Sequence, residues 1–123
     1  PQFSRDGARI LLATGKPPAP PADPNDKTPA PIAVDLWSSN DQIIQPMQKV
    51  RAEQDRSRTY RAVVHLADKK FVQLATPELP TVNPGDDPAL AIGTSDLPYR
   101  KEISWDQSYN DVYLVDLKTG ASR

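Results

Sequence analysis

The stretch Asn110–Arg123 reads NDVYLVDLKTGASR. Its first half is rich in β-branched and aromatic residues, as a strand is. Lys118-Thr119-Gly120 supplies a short polar turn, and Ala121-Ser122-Arg123 begins a returning strand. A hairpin that stops after three residues of its second arm leads us to expect a piece of a longer polypeptide. The other end agrees, since Pro1 follows no methionine and no signal peptide, and a strand pattern begins almost at once.

A second hairpin lies earlier. Thr59–Leu66 forms its first arm, Ala67-Asp68-Lys69-Lys70 its turn, and Phe71–Ala75 its return. Placing Val64-His65-Leu66 over Val115-Asp116-Leu117 puts Ala67-Asp68-Lys69 over Lys118-Thr119-Gly120, an offset of 51 residues. That spacing is close to the roughly 40–50 residues per blade of propeller repeats. An immunoglobulin-like sandwich has the same density of short strands but no need to repeat itself. The fold class expected is all-β, built of antiparallel β-propeller blades, roughly two of them in residues 1–123, with one short helix.

Working outward, FSRDGARILLATG (Phe3–Gly15) opens on an Asp6-Gly7 turn, and Ile10–Ala13 follows as a strand. KPPAPPADPNDKTPAP (Lys16–Pro31) holds half of the fourteen prolines. Proline has no amide hydrogen to give a sheet, so residues 16–31 are expected as an extended loop inserted between strands. A ligand for an aromatic-lined groove is the alternative use of PPAPP. IAVDLW (Ile32–Trp37) alternates apolar and polar residues, as a half-buried strand does. Ile43, Ile44, Met47 and Val50 then fall at helical spacing, with Pro46 suited to a first turn. TPELPTVNPGDDP (Thr76–Pro88) is expected as a proline-rich connection turning at Asn83–Asp86. ALAIGTSD, from Ala89, and RKEISWD, from Arg100, are expected as two further strands.

Composition removes several functions. Lys and Arg number 15 against 16 Asp and Glu, interspersed, for a net charge of −1. No basic stripe is available to neutralise phosphates, so nucleic acid is not an expected partner. Without cysteine there is neither a disulfide nor a thiolate metal site. No apolar run approaches the ~20 residues needed to span a bilayer.

FSRDGARILLATG resembles the propeller motif in which a Phe-Ser-x-Asp-Gly turn feeds an apolar strand. DVYLVDLKTG resembles its partner, a Tyr-x-Val-Asp-x-x-Thr-Gly hairpin between two middle strands of a blade. Both motifs occur in TolB-like translocation propellers and in peptidase propellers. The longer combination, from VDLWSSNDQ through VHLADKKFVQLAT to LAIGTSDLPYRKEISWD and VYLVDLKTG, resembles the N-terminal propeller of bacterial prolyl oligopeptidase family serine peptidases. The resemblance implies a non-catalytic segment that caps a C-terminal α/β-hydrolase domain and admits only short peptides, with a periplasmic or secreted home. A binding propeller without an attached enzyme is the alternative.

Family members carry a serine nucleophile on a Gly-x-Ser-x-Gly elbow, with histidine and aspartate partners. This sequence has no such elbow, so no catalytic residue is assigned. His65 is expected as a partly exposed strand histidine pointing away from Val64 and Leu66. Asp23, Asp26, Asp86 and Asp87 lack the spacing of a calcium loop, and neither metal nor cofactor is assigned. Arg51, Glu53, Asp55, Arg56 and Arg58 read as a solvated face, with substrate contact the minor alternative. Trp37, Trp105, Tyr60, Tyr99, Tyr109 and Tyr113 are expected mainly to pack between blades. Some dipeptidyl relatives hold a peptide amino terminus with adjacent glutamates; here Glu53 and Glu102 stand apart. Truncated blades expose unpaired strand edges, so self-association through Val112–Leu117 is expected.

Overall fold

The computed structural model describes residues 1–17 and 34–123. They form two antiparallel sheets and one short helix. The first sheet is the meander β1 (Gln2–Phe3), β2 (Arg9–Gly15), β3 (Thr59–His65) and β4 (Lys70–Gln73), paired in chain order. The second is β5 (Thr81–Pro84), β6 (Leu90–Ser95) and β7 (Asp111–Asp116), also in chain order. Past β7 the chain turns and returns, with a bridge between Val115 and Ser122. The mainly β class is as expected from the sequence.

The two sheets share one register. Gln2 faces Leu11 and Phe3 faces Ile10; 81 positions on, Asn83 faces Ile92 and Pro84 faces Ala91. Ile10 pairs with Val64, and Ala91 with Val115. Val64 pairs with Phe71, and 51 positions on Val115 bridges Ser122. The turns match as well. Leu66 N–H donates to the Ala8 carbonyl, and Leu117 N–H to that of Ala89. Asp6 Oδ1 accepts from Ala8 N–H as Asp87 Oδ1 does from Ala89 N–H. Lys69, at φ 54°, stands where Gly120 has φ 77°. The change of offset from 81 to 51 falls in one place: β2 and β3 are joined by a far longer connection than β6 and β7.

The core lies between the sheets. Val63 and Val72 from the first sheet meet Val82, Ala91 and Val115 from the second, closed at the sides by Leu74, Leu79 and Leu117. Burying such side chains stabilises the fold by about 1.5–3 kcal/mol each. Gly93 makes room here, because a Cβ on it would come within 2.8 Å of Leu79 Cδ2 and 3.1 Å of Val115 Cγ2, and the Leu79 side chain would have to shift. Polar side chains lace the rim. Arg9 Nη1 donates to the Pro88 carbonyl at 2.8 Å, and Lys70 Nζ to that of Lys118 at 3.2 Å.

Several expectations need correction. Val34–Trp37 forms no strand and is exposed, with Leu36 88% accessible; Ile32 and Ala33 lie outside the described residues. Alternation alone was not enough, because no sheet edge among the described residues receives Val34–Trp37. Residues 100–106 form no strand but a 3-10 turn at Glu102–Ser104, which follows another at Leu97–Tyr99, since β6 already has β5 and β7 as neighbours. The proline-rich connection Thr76–Pro88 contains β5. Pro84 is accommodated because β5 is an edge strand, where a missing N–H removes no ladder bond. The loop expected over residues 16–31 lies mostly outside the described residues.

The helix α1 (Gln45–Arg56) forms as its spacing suggests, with Pro46 in the first turn. None of its residues is buried, and Ile44, Met47 and Val50 all remain exposed.

Candidate functional site

In an antiparallel meander, alternate connections emerge at opposite ends. The short turns after β1, β3, β5 and β7 therefore share one end, and the β2–β3 and β6–β7 connections share the other. The second end carries the side-chain chemistry. Arg51 and Arg58, from α1 and the residues after it, face Asp96 and Arg100 of the β6–β7 connection across two open clefts of about 310 and 430 Å³.

Arg100 Nη2 donates to Asp96 Oδ1 at 2.9 Å. Partial burial of Asp96 works against its charge, but that hydrogen bond and the guanidinium charge win, holding its carboxyl below the ordinary value of 3.8. Arg100 Nε is buried with no partner among the described residues. Tyr99 donates its hydroxyl to Asp111 Oδ1 at 2.7 Å, which raises its pKa because ionisation would break the bond beside a carboxylate. Its ring meets Tyr109 edge to face, 5.9 Å between centroids. Three arginines against two carboxylates, Asp55 and Asp96, give the clefts a cationic bias suited to an anionic group.

No nucleophile–base pair accompanies them among the described residues. His65 Nε2–H donates to the Leu117 carbonyl at 2.8 Å, so the ring ties the two sheets together. It points away from Val64 and is partly exposed, as expected, and it reaches toward the second sheet. The bonded serines serve local structure: Ser4 Oγ donates to Asp6, Ser57 Oγ to the Glu53 carbonyl and Ser95 Oγ to that of Glu78.

The Asn83–Asp87 turn uses its carboxylates elsewhere. Asp86 pairs with Arg5 at 2.7 Å, and Asp87 Oδ1 accepts from the amides of Ala89 and Leu90, which lower its pKa. No group of three metal-ligating side chains occurs among the described residues. Asp23 and Asp26 lie outside them. Glu53 and Glu102 remain on separate elements, one in α1 and one in the second 3-10 turn. No helix among the described residues is long and apolar enough to cross a membrane.

The aromatic residues depart from expectation. Only Tyr60 and Tyr113 pack against the core. Trp37 and Trp105 are 58% and 75% exposed and line a small cleft with Ile44 and Lys101. The arginine clefts were missed in the sequence because Arg58 and Arg100 sit far apart in the chain. Only the shared register of the two sheets brings their connections together.

Comparison with known proteins gives no matching family model, no matching curated relative and no matching solved structure.

Proposed function

We propose that this chain is a two-blade segment of a β-propeller in a serine peptidase of the prolyl oligopeptidase type. In that role it caps a C-terminal hydrolase domain and restricts entry to short peptides, contributing no bond-breaking group. The observation that carries the propeller part is the common register of the two meanders, because blades are repeated antiparallel units. The peptidase part is supported by the longer combination, from VDLWSSNDQ through VHLADKKFVQLAT to LAIGTSDLPYRKEISWD and VYLVDLKTG, because the two short motifs occur in binding propellers as well. The arginine clefts at the long-connection end suit contact with an anionic part of a peptide, such as its terminal carboxylate.

The test is to express the complete open reading frame containing these residues and treat it, beside the 123-residue chain, with a fluorophosphonate probe. The longer product should label and cleave short peptides, while the 123-residue chain stays unlabelled. A product that closes its blades without a Gly-x-Ser-x-Gly elbow, and does not label, would instead be a TolB-like binding propeller.

A further inference from the structure

We propose that the two arginine clefts are one bipartite site for the free C-terminus of a peptide ending in an apolar or aromatic residue. Arg51, Arg58 and Arg100 take the terminal carboxylate, and Ile103 and Tyr109 take the last side chain. Both walls come from connections inside the chain. One is α1 with the residues after it, and the other is the β6–β7 connection.

Charge and burial carry the carboxylate half. The clefts share Arg51, Arg58, Asp96 and Arg100, so these side chains stand where the two openings meet. All three arginines are half-buried. Cations gathered partly out of water repel one another, and an anion among them offsets that cost. Arg100 is held in place before any ligand arrives, by burial of its side chain and by its bond to Asp96. Its Nε donor is still unmet among the described residues. Arg58 Nη1 lies 4.0 Å from Asp55 Oδ1, too far for a hydrogen bond, so Asp55 does not use up its donors. Planar guanidinium forks match a planar carboxylate. Three arginines against Asp55 and Asp96 leave one positive charge over, which a monoanion neutralises. A phosphate dianion would bring a surplus negative charge against both carboxylates.

The unshared walls orient the rest of the ligand. The 310 Å³ cleft adds Ile103 and Tyr109, both exposed, beside the arginines. Tyr109 is braced edge to face by Tyr99, whose hydroxyl is anchored on Asp111. This wall is therefore apolar and fixed, as a side-chain pocket needs. The 430 Å³ cleft adds Gln54, Ser57 and Thr59, which suit the polar backbone of the preceding residues. The inference rests on the proposed function for the ligand being a peptide. Its carboxylate and its apolar side chain rest on the clefts alone.

Titration of the isotope-labelled chain, followed by its backbone amide shifts, tests this with three ligands: acetyl-glycyl-phenylalanine, its carboxamide, and acetyl-glycyl-serine. The phenylalanine acid should shift the amides of Arg51, Arg58, Asp96 and Arg100 saturably. Its carboxamide should bind about tenfold more weakly or worse, having no charge for the arginines. The serine acid should also bind about tenfold more weakly, because it leaves the apolar wall uncovered. Inorganic phosphate at the same concentration should not displace the phenylalanine acid. Arg58→Gln should weaken both acids alike, whereas Tyr109→Ser should weaken only the phenylalanine acid and abolish the preference. Neither side chain belongs to the core, so both variants should keep the wild-type circular dichroism spectrum. Equal binding of acid and carboxamide, displacement by phosphate, or a preference that survives Tyr109→Ser would each overturn the inference. A longer product that fails to label with the fluorophosphonate would remove the peptidase reading and leave the titration result standing.

Discussion

The two sheets pair their strands in the same register yet bury opposite faces. Leu66 and Leu117 illustrate the difference. Each follows the third strand of its meander and donates its amide to an equivalent carbonyl, but Leu66 is 40% exposed and Leu117 only 1%. Backbone pairing is thus set locally by strand and turn, while side-chain burial is set by which neighbour the face meets. Stacking the front of one sheet on the back of the other makes the two independent.

The sharpest way to break this comparison is to truncate the equivalent leucines. Leu117→Ala should cost about 2–5 kcal/mol, because it empties a filled core position, while Leu66→Ala should cost less than about 1 kcal/mol. Equal losses by urea denaturation would show that the faces are not distinguished.

The matching turn residues offer the next contrast. Gly120→Ala would place a Cβ 2.5 Å from the Gln73 carbonyl oxygen at φ 77°. The left-handed backbone alone costs roughly 1–2 kcal/mol, and the contact adds to it. Lys69→Gly relieves the same backbone without a new contact and should stabilise by up to about 1 kcal/mol. A loss of stability in Lys69→Gly would contradict the turn equivalence.

Gly93 and Leu12 occupy the same place in the two meanders, yet only Gly93 lies against Leu79. Gly93→Ala should therefore overpack the core and cost about 1–3 kcal/mol in thermal unfolding. A neutral result would place Leu79 elsewhere.

The smallest effect is common to both sheets. The Ser4 hydroxyl and Ala8 amide depress the Asp6 carboxyl, the Ala89 and Leu90 amides that of Asp87, and the Lys118 and Thr119 amides that of Asp116. Depressed folded values mean that the turns contribute fully above the unfolded value near 3.8 and lose that contribution as pH falls through the folded values. Thermal stability should decline below about pH 4, and Asp87→Asn should flatten the decline. A stability that rises on acidification would exclude this origin.

The sequence made one half of the repeat readable. Val64 and Leu66 match Val115 and Leu117 as residues, so the 51-residue offset was visible. The other half was hidden. Phe3 corresponds to Pro84, Gly7 to Pro88 and Leu12 to Gly93, pairs that share a backbone position but little chemistry. Prolines accordingly disguised β5 as a loop. Conversely, Ile32–Trp37 has the pattern of a strand, yet Val34–Trp37 has no partner among the described residues. The arginine clefts were not legible, because their members lie on connections of unequal length brought together only by the fold.

The most direct test of the account is the cross-strand nuclear Overhauser pattern in an isotope-labelled sample. Contacts should place Gln2 opposite Leu11 and Asn83 opposite Ile92, and both Val64 with Phe71 and Val115 with Ser122. A second sheet shifted by one residue from the first would exchange its faces and contradict front-to-back stacking.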